Sequence, residues 1–467
     1  MKLRALTVGP IVGETTPTRV RIWGRSEVAL LEKLPMRSFG AVRVREVKAN
    51  APWTTPLLFK MNPNFDMTGV GVVSKLTPET AYEYEVGHFF SDGEMKDAKF
   101  GESDWSDASK GTFTTGSDDP TAERSIVVGS CRYLLKTFIG DFFDDRGDKT
   151  FRSIIEQIEN GTETHQVLMI GDQIYADDLN AFRQDRTIKQ FFARYRDAFT
   201  QPYIRKLMSM VPTYMTLDDH EIEDNWPAKA STSDRTTLYP NAMHAYQTYQ
   251  LSHGPNIPVQ GTALSGTPNK FWYTYTDGCT EVFVTDSRTE RLIGERDLDD
   301  RRMLSDEQFQ ALKDWLIKRT GLVKLVVTSV PFFPDVGDGE NDDKWSGFPT
   351  QRAAILEVIE AHGVKPVVFL SGDVHASMSA ELVSPNGIHV YSVVSSSFFW
   401  PYPHPSAKNF QTTGTIDGGN AGPFTLANAT DFYSDDNFTR ITVTPADMVV
   451  EIFERKGKKV ATSKHAF

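Results

Sequence analysis

The stretch Gln166-Val167-Leu168-Met169-Ile170-Gly171-Asp172-Gln173-Ile174-Tyr175 decides how this chain is read. Val167 to Ile170 is a short, unbroken apolar run, the pattern of a strand buried on both faces. Gly171 follows where strand becomes loop and the backbone must turn sharply. An acid comes next, and a tyrosine three residues later. The same grammar recurs along the chain. After Ile126-Val127-Val128 comes Gly129-Ser130-Cys131-Arg132, and after Tyr214-Met215-Thr216-Leu217 comes Asp218-Asp219-His220-Glu221. Val282-Phe283-Val284-Thr285 leads into Asp286-Ser287-Arg288, and Val367-Val368-Phe369-Leu370-Ser371 into Gly372-Asp373-Val374-His375, with Gly372 expected to serve the same sharp turn. In open α/β sheets, sites form beyond the carboxyl ends of the strands, so these five clusters are expected to converge. Asp172, Asp219 and Asp373 at one point would repel and lose hydration unless a cation sat among them.

Working outward, helical periodicity separates these strands. Residues 150–159 and Ile188–Phe199 read as helices, the second with Phe191, Phe192 and Tyr195 on one face. Ser305-Asp306-Glu307-Gln308 is a capping box opening a helix that stops at Gly321, and residues 352–361 form another ended by Gly363. Further strands are 323–328 and His389–Val394, and a terminal hairpin pairs 440–443 with 448–453 about Pro445. Strands alternating with helices imply an α/β layered fold. Residues 398–436 lack periodicity and read as a long loop. Residues 335–343 form an acidic run expected to be a solvated loop.

The first 118 residues differ in texture. Alternating runs such as Arg19-Val20-Arg21-Ile22-Trp23 read as half-buried strands. Leu76-Thr77-Pro78-Glu79-Thr80-Ala81-Tyr82-Glu83-Tyr84 has the form of the tyrosine corner of immunoglobulin-like sandwiches. An N-terminal β-sandwich is expected over 1–118 and a second domain over 119–467, linked through the turn formers of residues 114–120.

The 467 residues carry a net charge of −12, a poor basis for non-specific binding of nucleic acid or anionic membranes. Two cysteines, Cys131 and Cys279, make no disulfide framework. No stretch reads as a signal peptide, and none approaches the ~18 apolar residues of a transmembrane helix. As it stands the chain reads as cytoplasmic, unless an export signal was removed.

The ordered set GSC, GDQIY, DDHE, DSR and GDVH resembles the PhoD-like (alkaline phosphatase D) branch of the calcineurin-like metallophosphoesterases. The opening GPIVGETTPTRVRIWGR resembles that branch's N-terminal sandwich, and Lys344-Trp345-Ser346-Gly347-Phe348-Pro349 with Gln351-Arg352 its later signature. The likeness runs from about residue 7 to 400. The wider superfamily has Asp-x-His, GNH, a lone His and GHxH where this chain has Cys131, Asp219, no histidine within Val327-Thr328-Ser329-Val330-Pro331, and Asp373. The PhoD-like branch shares these departures.

The resemblance implies a four-layer αββα metallophosphoesterase sandwich preceded by an immunoglobulin/fibronectin-like domain. It implies hydrolysis of small-molecule phosphomonoesters and phosphodiesters by a metal-activated hydroxide at a two-metal centre. Fe3+ would take Cys131, Asp172, Tyr175 and His375. Asp172 would bridge to a second cation held by Asp219 and Asp373, Ca2+ by resemblance, with Mg2+ or Mn2+ also suiting oxygen donors. His220 would stabilise the transition state or protonate the leaving group. Arg288 and Arg132 would neutralise charge on phosphoryl oxygens, Asn225 would donate to one of them, and Trp345 would wall the pocket. Each has a plain alternative: Cys131 a buried small residue, Tyr175 or Trp345 packing, His220 a hydrogen-bonded histidine, Arg288 a partner of Asp286. The family is often exported. An alternative activity on the same site is phosphotriester or phospholipid hydrolysis, with the aromatic run 397–402 lining an apolar pocket. A non-catalytic, cation-dependent binding protein is the alternative of another class.

Overall fold

A computed structural model of the chain describes every residue except 1, 32–33, 92–102, 135–144, 178–183, 262, 295–297, 338–342 and 431. Among the described residues, seven strands of four residues or more come first: β1 (Val8–Thr16), β2 (Arg19–Arg25), β3 (Ser38–Glu46), β4 (Leu57–Lys60), β5 (Thr68–Ser74), β6 (Ala81–Phe90) and β7 (Ser109–Thr114). They form two antiparallel sheets, ordered β1-β2-β5 and β4-β3-β6-β7. Val12, Val20 and Ile22 of one sheet share a core with Val42, Val44 and Phe113 of the other. The Tyr82 hydroxyl accepts from the Thr77 amide at 3.0 Å, the bond expected of a tyrosine corner. Val8, Ile11, Trp23 and Val70 lie instead in the core of the remaining chain. Trp23 Nε1 donates to the Thr248 carbonyl at 3.0 Å there.

From residue 124 the order is β8 (Arg124–Gly129), α1 (Arg146–Glu159), β9 (Gln166–Ile170), α2 (Ile188–Phe199), α3 (Pro202–Met208), β10 (Thr213–Thr216), α4 (Tyr239–Tyr249), β11 (Tyr273–Asp277), β12 (Thr280–Val284), α5 (Asp306–Ile317), β13 (Val323–Val327), α6 (Pro349–His362), β14 (Val367–Ser371), β15 (Met378–Val383), β16 (His389–Val394), β17 (Thr415–Ile416), β18 (Phe424–Ala427), β19 (Asn437–Val443), β20 (Asp447–Glu454) and β21 (Lys459–Ala466). A six-stranded sheet runs β10-β9-β8-β19-β20-β21 and an eight-stranded sheet β11-β12-β13-β14-β16-β15-β18-β17. β8, β9 and β10 are mutually parallel, as are β12, β13, β14 and β16.

The apolar runs explain the layering. Successive strand residues face opposite sides. Val167 and Met169 of β9 face the core shared with α1 to α4, while Leu168 and Ile170 face the second sheet. In β14, Val367 and Phe369 pack with α5 and α6, and Val368 and Leu370 face inward. Each buried side chain contributes about 1.5–3 kcal/mol, so strands apolar on both faces are stable only between two layers. The outcome is helices, sheet, sheet, helices, a mixed α/β fold.

The α2 bounds are those read from the sequence. Ser305 caps α5 through the Gln308 amide, although the helix ends at Ile317. Gly363 ends α6 in the left-handed conformation, φ 60°. Residues 398–436 are not a plain loop, since they contain β17 and β18. The hairpin at the C-terminus has a third strand, β21. Among the described residues, no helix is long and apolar enough to cross a membrane.

Candidate metal centre

The strand-end loops meet at one rim. Gly171 turns with φ +84°, and a Cβ there would lie 2.4 Å from Asp218 Cβ. Gly372 does not lie in the left-handed region. A Cβ on it would sit 2.3 Å from Ser130 Oγ, so this glycine serves the close approach of two loops rather than the turn expected of it. Cys131, Asp172, Asn225, Asp373 and His375 have φ of 55°, 56°, 56°, 69° and 50°. They are five of the eleven described non-glycine residues with positive φ. Each such residue costs about 1–2 kcal/mol and persists only where its surroundings hold it.

The holding contacts are explicit. Cys131 N donates to Gly171 O at 3.2 Å and Arg132 N to Asp172 O at 2.8 Å. Asp373 N donates to Ser130 Oγ at 3.2 Å and His375 N to Ser396 Oγ at 3.0 Å. Glu221 gathers three amides, those of Asp172, Gln173 and Asp218, at 3.0, 2.7 and 2.8 Å. Gln250 Nε2 adds a fourth bond at 2.9 Å. Burial pushes the Glu221 carboxyl up to about 7 even so.

These loops bring together Cys131, Asp172, Tyr175, Asp219 and Asp373. Cys131 Sγ and Tyr175 OH approach Asp172 Oδ2 at 3.3 and 3.5 Å. Oxygens of Asp172, Asp218, Asp219 and Asp373 all lie within 4.8 Å of one another, as do ligand atoms of Asp172, Asp219 and His220. Asp218 is already engaged by Arg288 and by Ser329 Oγ. Asp219 Oδ1 makes no hydrogen bond and has the Arg288 guanidinium at 3.4 Å. His375 lines the adjoining cavity with its ring stacked on Trp400 at 3.8 Å.

The electrostatics fit a cation. Burial, with surrounding carboxylates added, pushes Asp172 and Asp373 well above the carboxylate range. Burial and neighbouring anions likewise raise the Cys131 thiol and the Tyr175 phenol. Burial keeps His375 neutral, reinforced by His220. A positive charge among these groups would reverse the first four shifts and use the neutral imidazole as it stands.

His220 Nδ1 lies 2.8 Å from Asp177 Oδ2, which also accepts from the Asp224 amide at 2.8 Å. Burial alone would discharge the ring, but Asp177, Asp219 and Asp172 outweigh it and hold a proton there. Asn225 borders the cavity and its amide donates to Asp219 Oδ2 at 2.6 Å.

Other expected residues lie elsewhere. Arg132 is fully buried against the helix layer, donating to Ala198 O at 2.8 Å and facing Asp148 at 3.7 Å. Arg288 is also fully buried, behind the carboxylates; its guanidinium pairs with Asp218 and Asp343, and only its backbone amide reaches Asp286, donating to Oδ1 at 3.1 Å. Trp345 is a core residue rather than a pocket wall. It packs on Phe332 and its Nε1 donates to Thr328 Oγ1 at 2.9 Å. Phe398 and Phe399 are core as well, leaving Trp400 as the cavity-facing aromatic of that run. The acidic run is anchored at both ends, Asp335 on Arg352 and Asp343 buried on Arg288 and Lys344; residues 338–342 lie outside the described residues. Cys279 is structural, its Sγ donating to Val443 O at 3.2 Å.

Sequence reasoning gave no role of their own to Asp177, Glu221, Lys344 or His404, and offered Trp400 only within the aromatic run 397–402. Asp177 and Glu221 sat within reach, the first two residues after Tyr175, the second closing DDHE. Lys344, Trp400 and His404 border a cavity of about 440 Å³. Asp219, Asp224 and Asp373 line it beside Val336, Trp400, Pro403 and Pro405.

Two solved structures share this fold. A structure of PhoD superposes with a TM-score of 0.71 at 17% identity, over 99% of this chain and 89% of that one. The purple acid phosphatase PPD1 from yellow lupin (Lupinus luteus) seeds gives 0.62 at 14% identity, over 98% and 74%. At these identities the likeness is one of fold. The family is settled by sequence: the PhoD-like phosphatase model matches residues 140–422, more than half of the chain, and the chain belongs to that family. Alkaline phosphatase D of Bacillus subtilis (strain 168) is 27% identical over 258 residues, 50% of this chain. That match spans only 41% of the relative's length.

Proposed function

We propose that this chain hydrolyses phosphomonoesters and phosphodiesters at a two-cation centre. The observation that carries the reading is the meeting of Asp172, Asp219 and Asp373 with Cys131 and Tyr175 beside His220, at the mouth of one cavity. Cys131, Asp172, Tyr175 and His375 would hold one cation. The thiolate and phenolate donors suit Fe3+. Asp219 and Asp373 would hold the second, with Asp172 shared. That oxygen-rich set suits Ca2+, or Mg2+ or Mn2+. Bound cations would supply Lewis-acid polarisation of phosphoryl oxygens and a lowered pKa for the attacking water.

The chain's own groups do the rest. His220, oriented by Asp177, holds a proton at the cavity edge and delivers it to the departing alkoxide. Asn225 offers a side-chain donor on the same edge. Arg288 fixes Asp218 and stands behind Asp219, so it positions carboxylates rather than touching substrate. Residues 1–118 form an immunoglobulin/fibronectin-like sandwich and 119–467 the four-layer αββα hydrolase region in this reading, supported by the shared core of the first two sheets and the Tyr82 corner bond. The apolar wall of Trp400, Pro403 and Pro405 favours apolar ester groups, and so keeps triesters and phospholipids among the candidate substrates.

The test is a panel of aryl phosphate mono-, di- and triesters and a phospholipid, assayed with metal-loaded and chelated protein. Turnover of mono- and diesters that chelation abolishes is expected. Metal-loaded protein inert to every ester would overturn the reading in favour of cation-dependent binding.

A further inference from the structure

The two arginines expected to meet substrate charge are both walled off from the cavity. Arg132 points into the helix layer and Arg288 lies behind Asp218 and Asp219. Among the described residues lining the cavity, Lys344 is the one lysine or arginine. Its Nζ lies 3.0 Å from Asp343 Oδ2 and 3.6 Å from Asp373 Oδ2. It therefore spans from a buried anchor to a carboxylate of the candidate metal centre.

The anchor is rigid. Asp343 is held by Arg288 and faces Arg291 at 3.4 Å, in addition to Lys344. Next in sequence, Trp345 is locked into the core by Phe332 and Thr328. The Gly347 amide closes a turn back onto the Lys344 carbonyl at 2.9 Å. The motif Lys344-Trp345-Ser346-Gly347 thus has a division of labour: tryptophan fixes the backbone and lysine is presented at the cavity. Arg288, Arg291 and Lys344 face the four carboxylates of Asp218, Asp219, Asp343 and Asp373, and of the three cations Lys344 is the one that lines the cavity. A buried ammonium so placed attracts an anion far more strongly than one in water, and lysine binds phosphate as a compact point charge.

We propose that Lys344 is the substrate-binding cation of this site, contacting a non-bridging oxygen of the phosphoryl group and favouring dianionic monoesters over monoanionic diesters. The inference rests on the phosphoester reading above. It is tested by titrating metal-loaded wild type, Lys344→Met and Lys344→Arg with inorganic phosphate by calorimetry, with elemental analysis of each and KM and kcat for a monoester and a diester. Expected is a loss of phosphate affinity of about tenfold or more in Lys344→Met, metal content unchanged, most affinity regained in Lys344→Arg, and monoester kcat/KM falling more than diester. Phosphate affinity equal to wild type in Lys344→Met would overturn the proposal and leave Lys344 a counter-ion of Asp343. So would a loss matched by an equal loss of metal in both variants. Phosphate binding that depends on Lys344 in a protein inert to all esters would sustain this inference while removing the hydrolytic reading.

Discussion

His220 receives its orientation from Asp177, 2.8 Å from Nδ1. Asp177→Asn keeps the shape but not the charge that holds the ring protonated. It should lower kcat by about tenfold, and His220→Ala by about a hundredfold or more, with metal content unchanged in both. Steady-state kinetics beside elemental analysis checks this; retained kcat in His220→Ala would remove it from the chemistry. Cys131, Asp172, Asp219 and Asp373 were legible as a set because a strand's end fixes where the backbone goes, and the carboxyl ends of parallel strands, here three from one sheet and two from the other, point to one rim. The directions of their neighbours were not legible. Cys131 and Arg132 are adjacent, yet one faces Asp172 and the other Ala198. The left-handed φ at Cys131 sets that divergence, and it depends on contacts from loops more than 40 residues away. Trp345, expected to wall the pocket, is core for the same reason, and its neighbour Lys344 is the one that lines the cavity.

Two glycine-bearing loops carry the site as elements. Gly372→Ala would put a methyl group 2.3 Å from Ser130 Oγ, and the β8 and β14 loops would have to separate. A loss of about 2 kcal/mol is expected, seen as a lower Tm together with weaker retention of the second cation. An unchanged Tm would show that these loops have room to spare. Among the elements, α2 and the cap of α5 were readable because their signals are local: an apolar face at helical spacing, and a serine three residues before a glutamine. α4 was not. Ala242, Met243, Ala245, Tyr246 and Tyr249 are all buried, and the opposite face is only a narrow, partly exposed stripe of Asn241, His244 and Gln247, a weak contrast for helical periodicity. β21 escaped for the opposite reason. Lys459–Ala466 is an edge strand with few apolar residues, stabilised by pairing with β20 rather than by its own pattern.

At the scale of the whole molecule, the N-terminal sheets behave as part of the body they precede. Arg205 Nε donates to Gly9 O at 2.7 Å, Tyr84 OH to Ser209 O at 2.9 Å, and Trp23 Nε1 to Thr248 O at 3.0 Å. A Cβ on Gly13 would lie 2.3 Å from His253 O. Calorimetry should therefore show one unfolding transition, with Gly13→Ala lowering its Tm; two separated transitions would mean independent units. His253 at this junction adds a pH dependence. Burial, with Arg21 nearby, pushes its ring down to about 3, against about 6.5 unfolded. Between those values the unfolded chain binds more protons, so this contribution is complete above about 6.5 and declines as pH falls toward about 3, by up to about 1.4 kcal/mol per pH unit. Thermal melts from pH 7 to 4 should fall less steeply in His253→Gln than in wild type; parallel curves would remove His253 from the account.

The central claim is that two unequal cation sites share Asp172, one built on Cys131 and Tyr175, the other on Asp219 and Asp373. Elemental analysis of purified wild type, Cys131→Ala and Asp373→Asn, side by side, tests it most directly. The account predicts that Cys131→Ala loses its iron, while Asp373→Asn keeps iron and loses the second cation. Unchanged iron in Cys131→Ala, or equal loss of both metals in Asp373→Asn, would contradict it.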